Sequence, residues 1–221
     1  SVRLAMKRVG IYIYDEAEVL DFSGPFEVFS TAARVASKQS PTTTGDRSNC
    51  SSLFDVFVIN EKETTITARG GFQVNAKYSI QKDADNCHPH IDVLIVVGGV
   101  HTAEMKKPNV LAWIAEMCQS ASLVASVCTG AFLLAEAGVF ANHQKVTTHW
   151  EDIPDLQSSY PKLEVLEGQR WVDEGRIVTS GGISAGIDMS LHLLSKLHSV
   201  ELAEQTARQM EFDWTKNGMQ K

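Results

Sequence analysis

Cys128 stands in the run "LVASVCTGAF" (123–132), with Ser126 two residues before it and Gly130 two residues after. Small residues at those two places suit a nucleophile elbow, a strand-to-helix turn so tight that bulky neighbours would collide. Such a turn holds a side chain up at the C-terminal edge of a strand. A thiol there meets the positive end of the next helix and its free N–H groups, which lowers its pKa and favours thiolate. The chemistry would be covalent attack by sulfur on an electrophilic carbon. The other reading is an inert cysteine filling a core, the commoner fate of this residue.

A second elbow competes with the first. "GGISAG" (181–186) contains Gly182-Ile183-Ser184-Ala185-Gly186, a literal G-x-S-x-G. A serine hydrolase of this kind takes its acid and its histidine from later strand ends. After Ser184 there are only Asp188, His192 and His198, on or just beyond the same helix, where spacings of four and eight stack them beside the serine's own helix. Ser184 therefore reads as a helix cap among close-packing glycines.

Partners for Cys128 are sought at the ends of other strands. "VVGGV" (96–100) closes an apolar strand with two glycines, where a backbone N–H could meet an oxyanion together with the N–H of Thr129. Asp21, in "EVLDFSGPFEVF", falls just past the first strand and before a helix, where it is either an acid/base group or a cap. His149, in "TTHWED", follows the strand after the cysteine helix and reaches the rim where open α/β sheets bind ligands. It is either a site residue or a capping histidine; with Glu151 it also has the His-x-Glu spacing of cysteine glutaminases. "CHPH" (87–90) lacks a second cluster and reads as a loop, so no metal site is expected.

The elements needed to hold these residues are legible as alternating strands and helices. Strands are expected at 8–14, 53–60, 91–99, 122–126 and 145–150, with hairpins at 64–80 and 163–179. Helices are expected at 24–36 with Pro25 in the first turn, at 110–120, from Thr129 to a stop at Gly138, and at about 185–198 and 200–211. The polar stretch 37–52 reads as a surface loop inserted in a single domain over 1–221. The fold class is a three-layer α/β/α sandwich with a mostly parallel central sheet.

Composition narrows the function classes. The 221 residues carry 20 Lys and Arg against 27 Asp and Glu, a formal charge of −7, which argues against a nucleic-acid footprint. No apolar run approaches the ~20 residues of a membrane span. The start lacks a signal peptide's apolar segment, and Cys50, Cys87, Cys118 and Cys128 show no CxxC spacing. A cytoplasmic protein with reduced thiols is expected.

Together "LDFSGPFEVFS", "DVLIVVGG", "ASVCTGAFLLAEAG", "KVTTHWED" and "IVTSGGISAGIDMSLHLL" resemble the ThiJ/PfpI superfamily, similar in fold to class I glutamine amidotransferases. Within it the set resembles isocyanide hydratases and the amidase-like domains of AraC-type regulators. The regulators continue into a helix-turn-helix region, for which the ending "QTARQMEFDWTKNGMQK" leaves no room, so the expectation is a stand-alone member, with a piece cut from a regulator as the alternative. The resemblance makes Cys128 the nucleophile, Asp21 its acid/base partner, and Thr129 the second member of a Cys-Thr pair. It gives Gly99, Val100 and Thr129 oxyanion-side N–H groups and puts His149 near the sulfur. It implies a small-molecule substrate, no cofactor and a homodimer. The activity implied is hydration of an isocyanide to an N-substituted formamide; a small-molecule sensor and a glyoxalase- or chaperone-like stress protein are the alternatives.

Overall fold

The structure, a computed structural model, describes residues 5–39, 52–62, 65–216 and 218–219. Residues 40–51 of the expected 37–52 loop, Cys50 among them, lie outside the described residues. In chain order β1 (Lys7–Tyr12), α1 (Val19–Gln39) and β2 (Phe54–Asn60) are followed by β3 (Thr65–Thr67), β4 (Gln73–Asn75) and β5 (Tyr78–Ser79). Next come β6 (Val93–Val96), α2 (Pro108–Ser120), β7 (Leu123–Val127), α3 (Gly130–Glu136) and β8 (Lys145–Val146). Then α4 (Ile153–Ser159), β9 (Glu164–Val165), β10 (Trp171–Asp173), β11 (Ile177–Ser180), α5 (Ala185–Leu197) and α6 (Val200–Gln209) complete the order.

Seven strands form one sheet in the order β10-β11-β7-β6-β1-β2-β5. Every pair is parallel except β10 with β11. The apolar run at β6 lies near the middle, and all four of its residues are buried, as a strand covered on both faces must be. Helices α1, α5 and α6 pack on one another, and α2 packs on α3, which completes the α/β/α layers.

Register puts the site on one edge of this sheet. Tyr12 pairs with Val96, Val96 with Ser126, and Val127 with Ser180. The chain therefore leaves β1, β6, β7 and β11 at one level. The segments just beyond carry Asp21, Gly98 and Gly99, Cys128, and Gly181 and Gly182.

Several boundaries differ from the sequence reading, among them the start of the expected 37–52 loop, whose first three residues close α1, and the expected strand 91–99, of which only Val93–Val96 is strand. Helix α1 begins at Val19, five residues before the expected start, so Pro25 lies inside it rather than in its first turn. The ring of Pro25 removes the helical bond to the Asp21 carbonyl, a cost offset by burying the apolar residues Phe22, Val28 and Phe29 of the same helix. The segment 64–80 does hold a hairpin, β3 with β4, but Tyr78–Ser79 leaves it to pair in parallel with β2. Of 163–179 only β10 and β11 form the hairpin, while Glu164–Val165 pairs with β8. Of 145–150 only Lys145–Val146 is strand, and it stands outside the central sheet. His149 thus reaches the rim from a loop, which the Thr147 N–H ties to Thr179 Oγ1 on β11 at 2.9 Å.

Candidate active site

Cys128 follows the last residue of β7 with φ 55°, a left-handed conformation that a non-glycine residue adopts only when its surroundings impose it. The constraints are visible. Its N–H is shared by the carbonyls of Ser180 (3.2 Å) and Gly181 (3.3 Å), and its own carbonyl accepts the Thr148 hydroxyl at 2.9 Å. A Cβ at Gly130 would stand 2.2 Å from the Val96 carbonyl oxygen, so the expected small residue at that place must be glycine. The elbow geometry read from the sequence is present.

Asp21 meets it from the first turn of α1. The carboxyl group is fully buried; Oδ2 accepts the Gly98 N–H at 3.1 Å, and Oδ1 is buried with no hydrogen-bond partner among the described residues. Burial pushes this carboxyl up to about 8, and the Gly98 N–H only partly opposes the rise. The thiol of Cys128, 6% exposed, is also pushed up, first by burial and then by the charge of Asp21 beside it. The Thr129 N–H aimed at the sulfur pulls the other way and is outweighed. The expectation that the helix start lowers the thiol's pKa is therefore corrected: desolvation wins. Both groups hold protons in the neutral range, and thiolate forms most readily when Asp21 is uncharged.

Two of the expected oxyanion donors are already engaged. The Gly99 N–H donates to Thr129 Oγ1 at 3.0 Å, and that hydroxyl donates back to the Gly99 carbonyl at 3.1 Å. The Val100 N–H donates to the Glu16 carbonyl at 3.0 Å. The cause is an antiparallel bridge between Gly99 and Ala17, so close that a Cβ at Gly99 would lie 2.3 Å from the Glu16 oxygen. In this geometry Thr129 alone of the three presents an N–H to the sulfur.

His149 lies on the far side of Cys128. A Cβ built on Gly182 would be 2.9 Å from the Cys128 Sγ and 2.4 Å from the His149 Cδ2, so thiol and imidazole flank one small space. The Nδ1 of His149 accepts the Glu151 N–H at 3.4 Å and faces the Asp152 carboxylate at 3.4 Å. The His-x-Glu pair is thus not a carboxylate–imidazole pair; the carboxylate beside the ring is that of Asp152, which pairs with Nδ1 only when that nitrogen carries a proton and no longer accepts the Glu151 N–H. A 3₁₀ turn at Trp150–Asp152 brings that residue round at i+3, a spacing present in "HWED". Sequence reasoning finds Gly182 only as a packing glycine, and nothing in the local pattern signals Thr148.

Ser184 stands apart from this chemistry. The expected helix cap is corrected: Ser184 precedes α5 but its side chain makes no capping bond, and among the described residues its hydroxyl faces the Arg170 guanidinium, at 3.5 Å. Asp188 is held by Arg170 Nε at 2.7 Å and the Thr215 N–H at 2.7 Å. His192 is bound to Asp173 at 2.7 Å and stacked on Trp171. In "CHPH", His88 accepts the Trp113 indole N–H at 2.9 Å and pins the loop to α2.

The sequence matches the DJ-1/PfpI family over residues 7–196. It is 27% identical over 206 residues to isonitrile hydratase of Pseudomonas putida, an alignment covering 93% of this chain and 78% of that one. It is 29% identical over 157 residues to the HTH-type transcriptional regulator CdhR of Pseudomonas aeruginosa, covering 71% of this chain and 45% of the regulator. The chain thus spans less than half of that regulator's length. Among solved structures, a ThiJ/PfpI family protein from Pseudomonas syringae superposes with a TM-score of 0.77 at 20% identity, over 96% of this chain and 77% of that one.

Proposed function

The chain belongs to the DJ-1/PfpI family, and from that premise we propose that it is a cysteine-dependent hydratase acting on isocyanides. The observation that carries the reading is the buried Asp21 carboxyl, which interacts with the Cys128 thiol and whose Oδ1 has no hydrogen-bond partner within normal distance among the described residues. Leaving a buried carboxyl oxygen unsatisfied is costly, and a reacting proton or water would satisfy it. The 27% identity to isonitrile hydratase over 93% of the chain favours the same substrate class.

The step sequence balances with water alone. As Sγ bonds to the terminal isocyanide carbon, Asp21 delivers the proton it holds to that carbon and takes the thiol proton in its place, leaving a thioimidate. Water then adds to this carbon while its proton passes by way of Asp21 to nitrogen. The tetrahedral adduct collapses, the C–S bond breaks, sulfur regains a proton, and the N-substituted formamide leaves. A carboxyl whose pKa is near 8 exchanges protons readily in both directions at neutral pH. Thr129's N–H steadies negative charge on sulfur, and His149 bounds the space where substrate and water meet. No cofactor takes part, and the same reading carries a cytoplasmic homodimer. Among the described residues no helix is long and apolar enough to cross a membrane.

A second reading, a small-molecule sensor that keeps the cysteine but lacks turnover, is favoured by the match to a regulator over 71% of the chain. One experiment separates the two. A neutral alkyl isocyanide is incubated with the protein and the formamide proton is followed by NMR. Turnover that disappears in Cys128→Ser supports the hydratase; binding of the isocyanide without formamide from the wild-type chain supports the sensor.

A further inference from the structure

The groups around Cys128 carry a charge rule. Asp21 is flanked by Glu18, and Cys128 lies within the field of Asp152. The guanidinium that acts on Asp21, that of Arg69, is paired with Glu18 at 3.1 Å. If His149 is neutral it adds no charge, and if it is protonated Asp152, 3.4 Å from Nδ1, cancels it. No arrangement of these protons leaves the site a surplus cation among the described residues.

The backbone points the same way, since its one donor aimed at the site, the Thr129 N–H, is directed at the sulfur itself. A buried anion needs N–H donors where it lacks a cation. On the turn that faces Cys128, the N–H of Gly98 is taken by Asp21, that of Gly99 by Thr129, and that of Val100 by Glu16. Besides the exposed Glu16 and Glu151, the rim offers apolar side chains. Leu20, Val100 and Trp150 are exposed, and each is adjacent in sequence to a residue of the site: Asp21, Gly99 and His149. Trp150, 69% exposed, also stands beside the imidazole of His149.

We propose that the Cys128 site takes an uncharged small molecule bearing an apolar group and rejects anions, with Glu18 and Asp152 setting the charge rule and Trp150 receiving the apolar group. The inference rests on the reading of Cys128 as the reactive centre and narrows its substrate class. Carboxylates, phosphates and free α-amino acids fall outside it.

The test labels the thiol and needs no turnover, so failure of isocyanide hydration overturns the proposed activity and leaves this inference standing. Intact protein is treated with methyl, benzyl, sulfonatoethyl and trimethylammonioethyl methanethiosulfonates, and modification of Cys128 is timed by peptide mass spectrometry. The half-buried Cys87 serves as internal reference. The expected result is a sulfonatoethyl rate at Cys128 slower than the methyl rate by roughly tenfold or more, beyond any difference at Cys87, a factor equal to about 1.4 kcal/mol. Glu18→Gln, which frees Arg69, and Asp152→Asn each narrow that ratio. Trp150→Ala slows the benzyl reagent and leaves the methyl reagent unchanged. Equal methyl and sulfonatoethyl rates, or a ratio that neither substitution moves, overturn the charge rule. A trimethylammonioethyl rate above the methyl rate assigns the site to cations and overturns the uncharged class. A benzyl rate indifferent to Trp150→Ala removes the apolar assignment, and a Cys128 that reacts with no reagent while Cys87 does overturns the whole.

Discussion

Gly182 separates Cys128 from His149 by less than the room of a methyl group: its missing Cβ would lie 2.9 Å from the thiol sulfur and 2.4 Å from the imidazole Cδ2. The relationship makes a residue without a side chain part of the site. Gly182→Ala must push one of its neighbours aside. Overpacking of this kind costs about 1–3 kcal/mol, so the variant is expected to fold with a lowered melting temperature. Misplacing a reacting group by about 1 Å costs ~10²-fold in rate, and a turnover loss of that order is expected. Isocyanide turnover within a factor of two of wild type would mean that thiol and imidazole need not share this space.

Asp21→Asn separates proton transfer from thiol ionisation. It removes the titrating carboxyl, so turnover is expected to fall by ~10²–10⁴. It also removes the negative charge that Asp21 carries above about pH 8 and that holds the Cys128 thiol up, so on that alkaline side thiolate forms at lower pH and alkylation by iodoacetamide speeds up. Rates that move in opposite directions are the signature. Alkylation and turnover falling together would instead point to a collapsed pocket.

The same carboxyl makes stability depend on pH. An aspartate in the solvated, unfolded chain titrates at 3.8, and Asp21 in the fold titrates at about 8. Between those values the folded chain holds a proton that the unfolded chain has released, so stability falls as pH rises from about 4 to about 8. Asp21→Asn is expected to flatten that part of the curve and to melt above wild type on the alkaline side. Parallel melting curves for the two proteins across this window would exclude the raised carboxyl.

Thr148 supports the strained residue rather than the substrate. Its hydroxyl donates to the Cys128 carbonyl at 2.9 Å, and both groups are buried. Thr148→Val leaves that carbonyl without this donor, at a cost of about 1–3 kcal/mol, and loosens the left-handed turn that aims the thiol. Turnover and melting temperature are expected to fall, and Thr148→Ser to restore both. A valine variant with unchanged turnover would show that the turn holds without it.

How much of this is legible in the sequence follows from where each signal resides. The buried strand at 93–96 and the elbow at Cys128 announce themselves locally, one by an apolar run and the other by small residues at fixed offsets. Asp21 is legible as a site residue but not as part of a helix. Proline at 25 predicts a later start, and packing of the helix on α5, α6 and β2 overrides it. The commitments of the Gly99 and Val100 N–H groups are invisible, because they arise from contacts with Glu16 and Thr129 that no local pattern encodes. The partnership of Asp152 with His149 depends on a 3₁₀ turn rather than the strand expected at 145–150.

Ser184→Ala closes the competing elbow. Ser184 has the glycine spacing of a nucleophile, and among the described residues no base meets its hydroxyl. Its hydroxyl faces the Arg170 guanidinium at 3.5 Å, and a guanidinium accepts no proton. The carboxylate one turn on, Asp188, is 1% exposed and held by Arg170 and the Thr215 N–H, so it anchors the C-terminal segment instead of a base. His192, two turns on, is stacked on Trp171 and bound to Asp173. Removing the hydroxyl is therefore expected to change turnover by less than about tenfold, or about 1.4 kcal/mol in barrier, with melting temperature nearly unchanged. Steady-state kinetics on an isocyanide and a p-nitrophenyl ester, with circular dichroism to verify folding, make the comparison. A loss near a thousandfold in a folded variant would move the nucleophile from Cys128 to Ser184.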